Sequence, residues 1–298
     1  MSAAQGPGPG VLAAIPAPHP DEAPLPPAAP CEPGVRLLRG VPYANVEGSR
    51  PLELDLWLPG RTGDDAAAVI LCLHGGAWRR GRREDPTLRM RDWSPGPFAR
   101  MAAAGFAVAC ADYRLSGEAR FPAPLDDLRA ALRWLGLRAP ELGIDPARTV
   151  VWGESAGGHL AALLALTEPG LAGAVLWYAP SDLTTSRGPF DPANPATPEA
   201  LLLGAAPSEV PELAHEASPV TRTHPDAPPF LLLHGTEDTM VPASHSEDLA
   251  ERLREAGSLV EFRTVPGADH GWYGATPEAV EDVFTRSLSF ARGAVDMR

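Results

Sequence analysis

Residues 153–158 read Gly-Glu-Ser-Ala-Gly-Gly and follow directly on the apolar run Thr149-Val150-Val151-Trp152. Gly153-x-Ser155-x-Gly157 therefore lies where a buried strand turns sharply into a helix that continues through His159-Leu160-Ala161-Ala162-Leu163-Leu164. Such a turn lifts the serine hydroxyl out of the sheet, and flanking glycines are needed where a Cβ would strike crossing backbone. The chemistry this offers is nucleophilic attack, which requires a base. Eight histidines are present. His19 falls in a proline-rich stretch, His215 and His224 in a long irregular connection, and His245 at the start of a polar helix. His74 and His234 precede glycines at strand ends, and His159 follows Ser155 by one helical turn. His270, in Val265-Pro266-Gly267-Ala268-Asp269-His270-Gly271-Trp272, sits in a loop after the last strand. From there an imidazole can swing back over the strand ends, so His270 is the preferred base.

A base needs an acid to hold its tautomer. Asp238, after the strand Phe230–Leu233, is the preferred partner, with Asp182 after the preceding strand as a rival. Glu237 adjoins Asp238 but should point elsewhere. Asp269 is the chain neighbour of His270, an adjacency that works against a carboxylate–imidazole contact.

The elements that must position these groups alternate from residue 35 onward. Strands are expected at Val35–Val41, Leu52–Leu58, Ala68–Leu73, Ala107–Ala111, Thr149–Trp152, Ala174–Tyr178, Phe230–Leu233 and Val260–Val265. Helices are expected at Pro97–Ala104, Leu125–Ala139, Ser155–Leu166, Ser244–Ala256 and Pro277–Ala291. The pattern implies an α/β class, a mostly parallel eight-stranded sheet with helices on both faces. Residues 35–298 then form one catalytic domain. Residues 1–34, with ten prolines, read as a proline-rich disordered arm. Residues 183–228 are rich in proline and break the rhythm, which suggests a cap or lid inserted over the site.

Composition narrows the partners. The 298 residues carry a formal net charge of −13, which argues against nucleic acid or an anionic membrane. All 25 basic residues are arginine, as expected of a GC-rich genome. Cys31, Cys72 and Cys110 show no disulfide or metal-ligand spacing, and Cys72 and Cys110 fall in apolar runs that mark buried core residues. No metal or cofactor is expected. The Val11–Ile15 run is too short for a signal-peptide core, and no apolar run reaches the ~20 residues of a membrane span. A cytoplasmic protein with no membrane span and a small-molecule substrate is expected; oligomeric state is left open.

Five motifs occur in order: His74-Gly75-Gly76-x-Trp78, Asp112-Tyr113-Arg114-Leu115, Gly153-Glu154-Ser155-Ala156-Gly157-Gly158, His234-Gly235-Thr236-x-Asp238 and Gly267-x-x-His270-Gly271. From about Tyr43 to the C-terminus the chain resembles the α/β-hydrolase fold carboxylesterases, in the branch of bacterial feruloyl-esterase-like and hormone-sensitive-lipase-like enzymes. The resemblance implies an acyl-enzyme serine hydrolase of small or aryl esters, with Ser155, Asp238 and His270 as the triad. It also implies an oxyanion hole from the amides of Gly76, Ala77 and Ala156. Ala77 departs from lipase-like members, which carry a third glycine there; its methyl would narrow the acyl site. The same His-Gly-Gly-x-Trp string occurs in kynurenine formamidases, so formamide hydrolysis stays open, as does a biosynthetic thioesterase or acyltransferase. A non-catalytic binding protein on this fold is disfavoured, because no triad member is missing.

Trp78, Trp272 and Tyr273 flank the oxyanion loop and the histidine, and are candidate substrate-binding residues or ordinary packing. His74 reads as a brace for its loop, Glu154 as support for the turn, His159 as a packing residue, and Asp112 and Arg114 as structural polar groups at a strand end. Arg79, Arg80, Arg82, Arg83, Arg89 and Arg91 read as a solvated run, or as an attractor for an anionic substrate.

Overall fold

The computed structural model describes residues 19–60 and 66–298. Eight strands form one sheet: β1 (Val35–Ala44), β2 (Leu52–Pro59), β3 (Ala67–Leu73), β4 (Ala107–Ala111), β5 (Ile144–Glu154), β6 (Gly173–Trp177), β7 (Phe230–Gly235) and β8 (Val260–Val265). Their spatial order is β1-β2-β4-β3-β5-β6-β7-β8. β1 pairs antiparallel with β2, and β2 antiparallel with β4; every other pairing is parallel. All eight expected strands are present. β5 begins earlier than its apolar core suggests, because Ile144 and Asp145 pair with Ala67 and Ala68 before the register shifts at Val69.

The central strands read as unbroken apolar runs because both of their faces are covered. Val69, Leu71 and Leu73 of β3 belong to one core layer, whereas Ala68, Ile70 and Cys72 belong to the other. Helices α1 (Pro97–Ala103) and α8 (Pro277–Asp296) close the second layer through Met101, Val280 and Phe284. Helices α2 (Ala123–Leu137), α4 (Ala156–Thr167) and α7 (Ser244–Glu255) close the first through Leu128, Leu163 and Leu249. The short α3 (Ala139–Leu142) ends at left-handed Gly143. Helix α4 is buried from Ala156 to Leu166, so the helix after Ser155 is part of the interior and cannot drift. None of the helices among the described residues is long and apolar enough to cross a membrane.

Two expectations about organisation need correction. Residues 19–34 are docked onto the domain, while residues 1–18 of the expected arm lie outside the described residues. Trp134 Nε1 donates to the Pro20 carbonyl at 3.1 Å, and Arg138 donates to the carbonyls of Pro20, Asp21 and Ala23. Ala29 bridges to Leu37 of β1. Proline removes backbone donors but leaves its carbonyls free, and this helix supplies the donors they lack. The second correction concerns residues 183–228. They fold into short pieces, including α5 (Pro198–Leu203) and α6 (Pro211–Glu216), and the turn Pro219–Thr221 that follows packs against α4 and α7.

Candidate active site

The turn between β5 and α4 places Ser155 at φ 50° and ψ −120°, a backbone state that side chains rarely adopt. The neighbouring glycines permit it. A Cβ on Gly153 would collide with the Gly157 carbonyl, and one on Gly157 would collide with the carbonyls of Leu73 and His74. The Ser155 amide donates to the Trp177 carbonyl at 2.9 Å, which locks the turn to β6.

His270 and Asp238 complete a hydrogen-bonded chain. Ser155 Oγ lies 3.0 Å from His270 Nε2, and His270 Nδ1 lies 2.8 Å from Asp238 Oδ2. A carboxylate only accepts, so Nδ1 carries the proton and Nε2 is left to accept from the serine. The Asp238 side chain is inaccessible to solvent. Burial opposes its ionisation, but hydrogen bonds from His234 and His270, the charge of His270 and the Val241 amide outweigh that cost. Its pKa is therefore held well below the usual carboxylate range. The Met240 and Val241 amides also donate to Oδ1, at 3.0 and 2.8 Å. Asp269 is occupied elsewhere, accepting from the amides of Thr239 and His270. Asp182, the rival acid, is held by Thr184 and Arg187.

The loop after β3 stands opposite. Gly76, Ala77 and Trp78 all have positive φ, at 116°, 55° and 54°. The carbonyl of Gly76 accepts from Arg79 and Arg80, whereas among the described residues no acceptor takes up the amides of Gly76 or Ala77. Ala77 thus holds a left-handed conformation that a glycine would adopt without strain. His74 braces the loop: its ring stacks on Tyr113 at 4.4 Å and its Nδ1 lies 2.7 Å from the Gly75 carbonyl. Burial lowers its pKa. Ala156 begins α4 beside Ser155 and is buried.

These loops enclose a cleft of about 600 Å³ lined by Gly76, Ala77, Ser155, Tyr178, His270 and Tyr273, together with Pro86, Thr87 and Leu88. The non-glycine residues with positive φ among the described residues are Ala77, Trp78, Ser155, Tyr178 and Trp272. All five lie in loops at this end of the sheet, where backbone strain is concentrated.

The BD-FAE family model matches residues 54–253, more than half of the chain. The chain belongs to the BD-FAE family. The matched region holds Ser155 and Asp238 and stops short of His270. Esterase LipQ of Mycobacterium tuberculosis is 31% identical over 252 residues, covering 78% of this chain and 56% of LipQ. Carboxylesterase NlhH of the same species is 32% identical over 226 residues, covering 70% of this chain and 67% of NlhH. The chain thus spans little more than half the length of LipQ. Among solved structures, a truncated carbohydrate esterase from gut microbiota superposes with a TM-score of 0.76 at 26% identity, covering 90% of this chain and 99% of that one. The fold is that of the α/β-hydrolases, as the motifs implied.

Within this BD-FAE chain, some sequence expectations do not meet in the cleft. Trp78 and Trp272 are buried, at 2% and 0% exposure, and of the three aromatic candidates only Tyr273 lines the cleft. Trp78 packs edge-on against His159, and Trp272 against Trp177 and Tyr178. Left-handed backbone at both tryptophans turns their side chains inward. No residue of 183–228 lines the cleft. The arginine run is divided as well: Arg80 and Arg91 reach the cleft, but Arg83 is a structural bridge to Glu53, Asp55 and Asp112. Arg114 pairs with Asp127.

Three contributors escaped the sequence reading. His234 sits behind the acid, with Nε2 2.7 Å from the Val241 carbonyl and 3.4 Å from Asp238 Oδ2. The i, i+4 spacing of His234 and Asp238 was the available signal. Tyr178 sets its ring against the His270 imidazole at 4.7 Å, and its hydroxyl donates to Glu154 Oε2. Thr87 meets the same hydroxyl at 2.9 Å. No local pattern marks Tyr178 or Thr87, because their partners are 24 to 92 residues away in the chain.

Proposed function

We infer that this chain is a serine hydrolase that cleaves carboxylic esters of small or aryl substrates through an acyl-enzyme on Ser155. The observation that carries this reading is the Ser155–His270–Asp238 hydrogen-bonded chain at the floor of an open cleft. His270 Nε2 takes the Ser155 proton as Oγ attacks the ester carbonyl. The amides of Gly76, Ala77 and Ala156 hold the oxyanion that forms, an interaction whose loss typically costs ~10²–10³ in kcat. His270 then returns the proton to the departing alcohol. In the second half, His270 deprotonates a water that attacks the acyl-enzyme and frees Ser155. Asp238 stays ionised throughout and stabilises the imidazolium. The curated relatives, named as esterases, support the same class of reaction. The free thiols of Cys31, Cys72 and Cys110 fit a cytoplasmic setting.

Ser155→Ala is the direct test. Turnover of p-nitrophenyl acetate should fall by about 10³-fold or more with thermal stability retained. Undiminished turnover by a folded variant would overturn the reading.

A further inference from the structure

Large apolar side chains exposed at the surface of the described residues number seven, and three of them, Leu88, Met240 and Tyr273, line the catalytic cleft. They are 45%, 58% and 51% exposed and come from three separate loops, after β3, β7 and β8. Their convergence is local. A Cβ built on Gly271 would stand 3.7 Å from the Tyr273 ring and 4.0 Å from Leu88 Cδ1. Met240 is two residues beyond Asp238, and its amide donates to that carboxylate. All three therefore stand on the side of the cleft that carries His270.

That side has a defined role in ester cleavage. The leaving oxygen must lie against the imidazole that protonates it, so the group attached to that oxygen runs along the wall next to His270. Asp269, the carboxylate next to His270 on this wall, is already engaged, and Arg91, near Leu88, pairs with Asp85 at 3.8 Å. Asp269 accepts from the Thr239 amide, the Thr239 hydroxyl and the His270 amide. A hydroxyl-rich alcohol would meet apolar surface and paired acceptors there, whereas an apolar one would cover three exposed side chains.

We propose that Leu88, Met240 and Tyr273 form the alcohol subsite, and that the enzyme prefers esters of aryl or other apolar alcohols to esters of sugars. The proposal rests on the serine-esterase reading. It sets this chain apart from the structural neighbour that is named a carbohydrate esterase.

The test holds the acyl group constant and compares methyl acetate, benzyl acetate and a mono-acetylated methyl xyloside by kcat/KM. Sugar hydroxyls are the more acidic leaving groups, so chemistry alone favours the xyloside. Benzyl acetate should nevertheless exceed it by at least about tenfold, the scale of a hydrophobic contact in a specificity pocket. The triple variant L88S/M240S/Y273S should pull the benzyl-to-methyl ratio toward one. Preference for the xyloside in the wild-type chain, or an unchanged ratio in the folded triple variant, overturns the subsite. Fluorophosphonate labelling of the wild-type chain separates the two readings. A chain that labels at Ser155 but prefers the sugar ester refutes the subsite alone. One that neither labels nor hydrolyses any of the three esters refutes the esterase reading and the subsite with it. If the triple variant fails to fold, the wild-type panel decides.

Discussion

Residues 74–96, after β3, and residues 183–228, which follow β6, leave the same end of the sheet, yet only the shorter stretch walls the Ser155 cleft. The difference lies in where each is anchored. Arg83 ties the first segment to Glu53, Asp55 and Asp112 on the strands below, and Arg89 reaches the Ala275 carbonyl beyond the histidine loop. The second segment is drawn away from the cleft. The Ala217 carbonyl faces His159 of α4 at 2.7 Å, Phe121 donates to the Leu202 carbonyl, and Arg187 pairs with Asp182 and with Asp248 of α7. A long proline-rich connection is thus no guide to a lid. Its polar anchors decide which face it covers.

The contrast can be broken at its strongest anchor first. Arg83→Met leaves Asp55 with only the Arg39 guanidinium at 3.8 Å and Asp112 with only that of Arg50 at 3.3 Å, and Asp55 is 1% exposed. Removing one partner of a buried ion pair costs about 3–5 kcal/mol. Thermal unfolding should show that loss, and esterase turnover should fall with it because the wall beside Ser155 loosens. Unaltered turnover in Arg83→Met would mean that this segment does not need its anchor to shape the cleft.

Ser218→Ala makes the opposite case in the second segment. Its hydroxyl accepts from the Leu183 amide at 2.8 Å and donates to the Ala214 carbonyl at 2.7 Å, fully buried. Leaving that amide unpaired should cost about 1–3 kcal/mol. Denaturant unfolding should register the loss, while kcat/KM on p-nitrophenyl acetate stays within about twofold, the expectation for a segment outside the cleft.

A third and gentler difference is pH. Burial lowers His159 to about 4, and burial together with the Arg187 charge lowers His245 to about 3. His159 faces the Ala217 carbonyl within the second segment, and His245 Nδ1 accepts from the amide of Ser181, whose carbonyl in turn accepts from the Val220 amide. Their folded pKa values lie below the unfolded value of roughly 6.5, so the unfolded chain binds more protons in between. The stabilising contribution is complete above about pH 6.5 and is lost as pH falls toward 4 and then 3. Proteolysis within 183–228 should accelerate across that window, and His159→Gln should flatten the upper part of the dependence. A pH-independent cleavage rate would show that these imidazoles do not hold the segment.

Much of this was legible without coordinates. The central strands β3, β4, β6 and β7 announce themselves because strands covered on both faces must be apolar throughout, and the glycines around Ser155 because nothing larger fits beside the Leu73, His74 and Gly157 carbonyls. Asp238 and His270, each placed after a strand in the expected order, do lie in one hydrogen-bonded chain with Ser155. Trp78 and Trp272 misled for a physical reason. A side chain beside a catalytic loop can point either way, and the left-handed backbone that turns these two inward is not written in their residue types. Residues 19–34 misled similarly, since their docking depends on donors more than a hundred residues away, on Trp134 and Arg138.

What the sequence by itself determined is the chemistry on offer: a serine at a strand-to-helix turn, an imidazole after the last strand, an acid after the one before it, and small residues in the loop opposite. These follow from local rules, because turns, strand runs and glycine positions obey their immediate neighbours. Only the tertiary structure decided what surrounds that chemistry. The Tyr178–Glu154–Thr87 contacts, the His234 support behind Asp238, the cleft wall around Leu88 and the withdrawal of 183–228 all join residues distant in the chain. Contacts of that kind depend on how packed layers bring loops together, and no short stretch of sequence contains both partners.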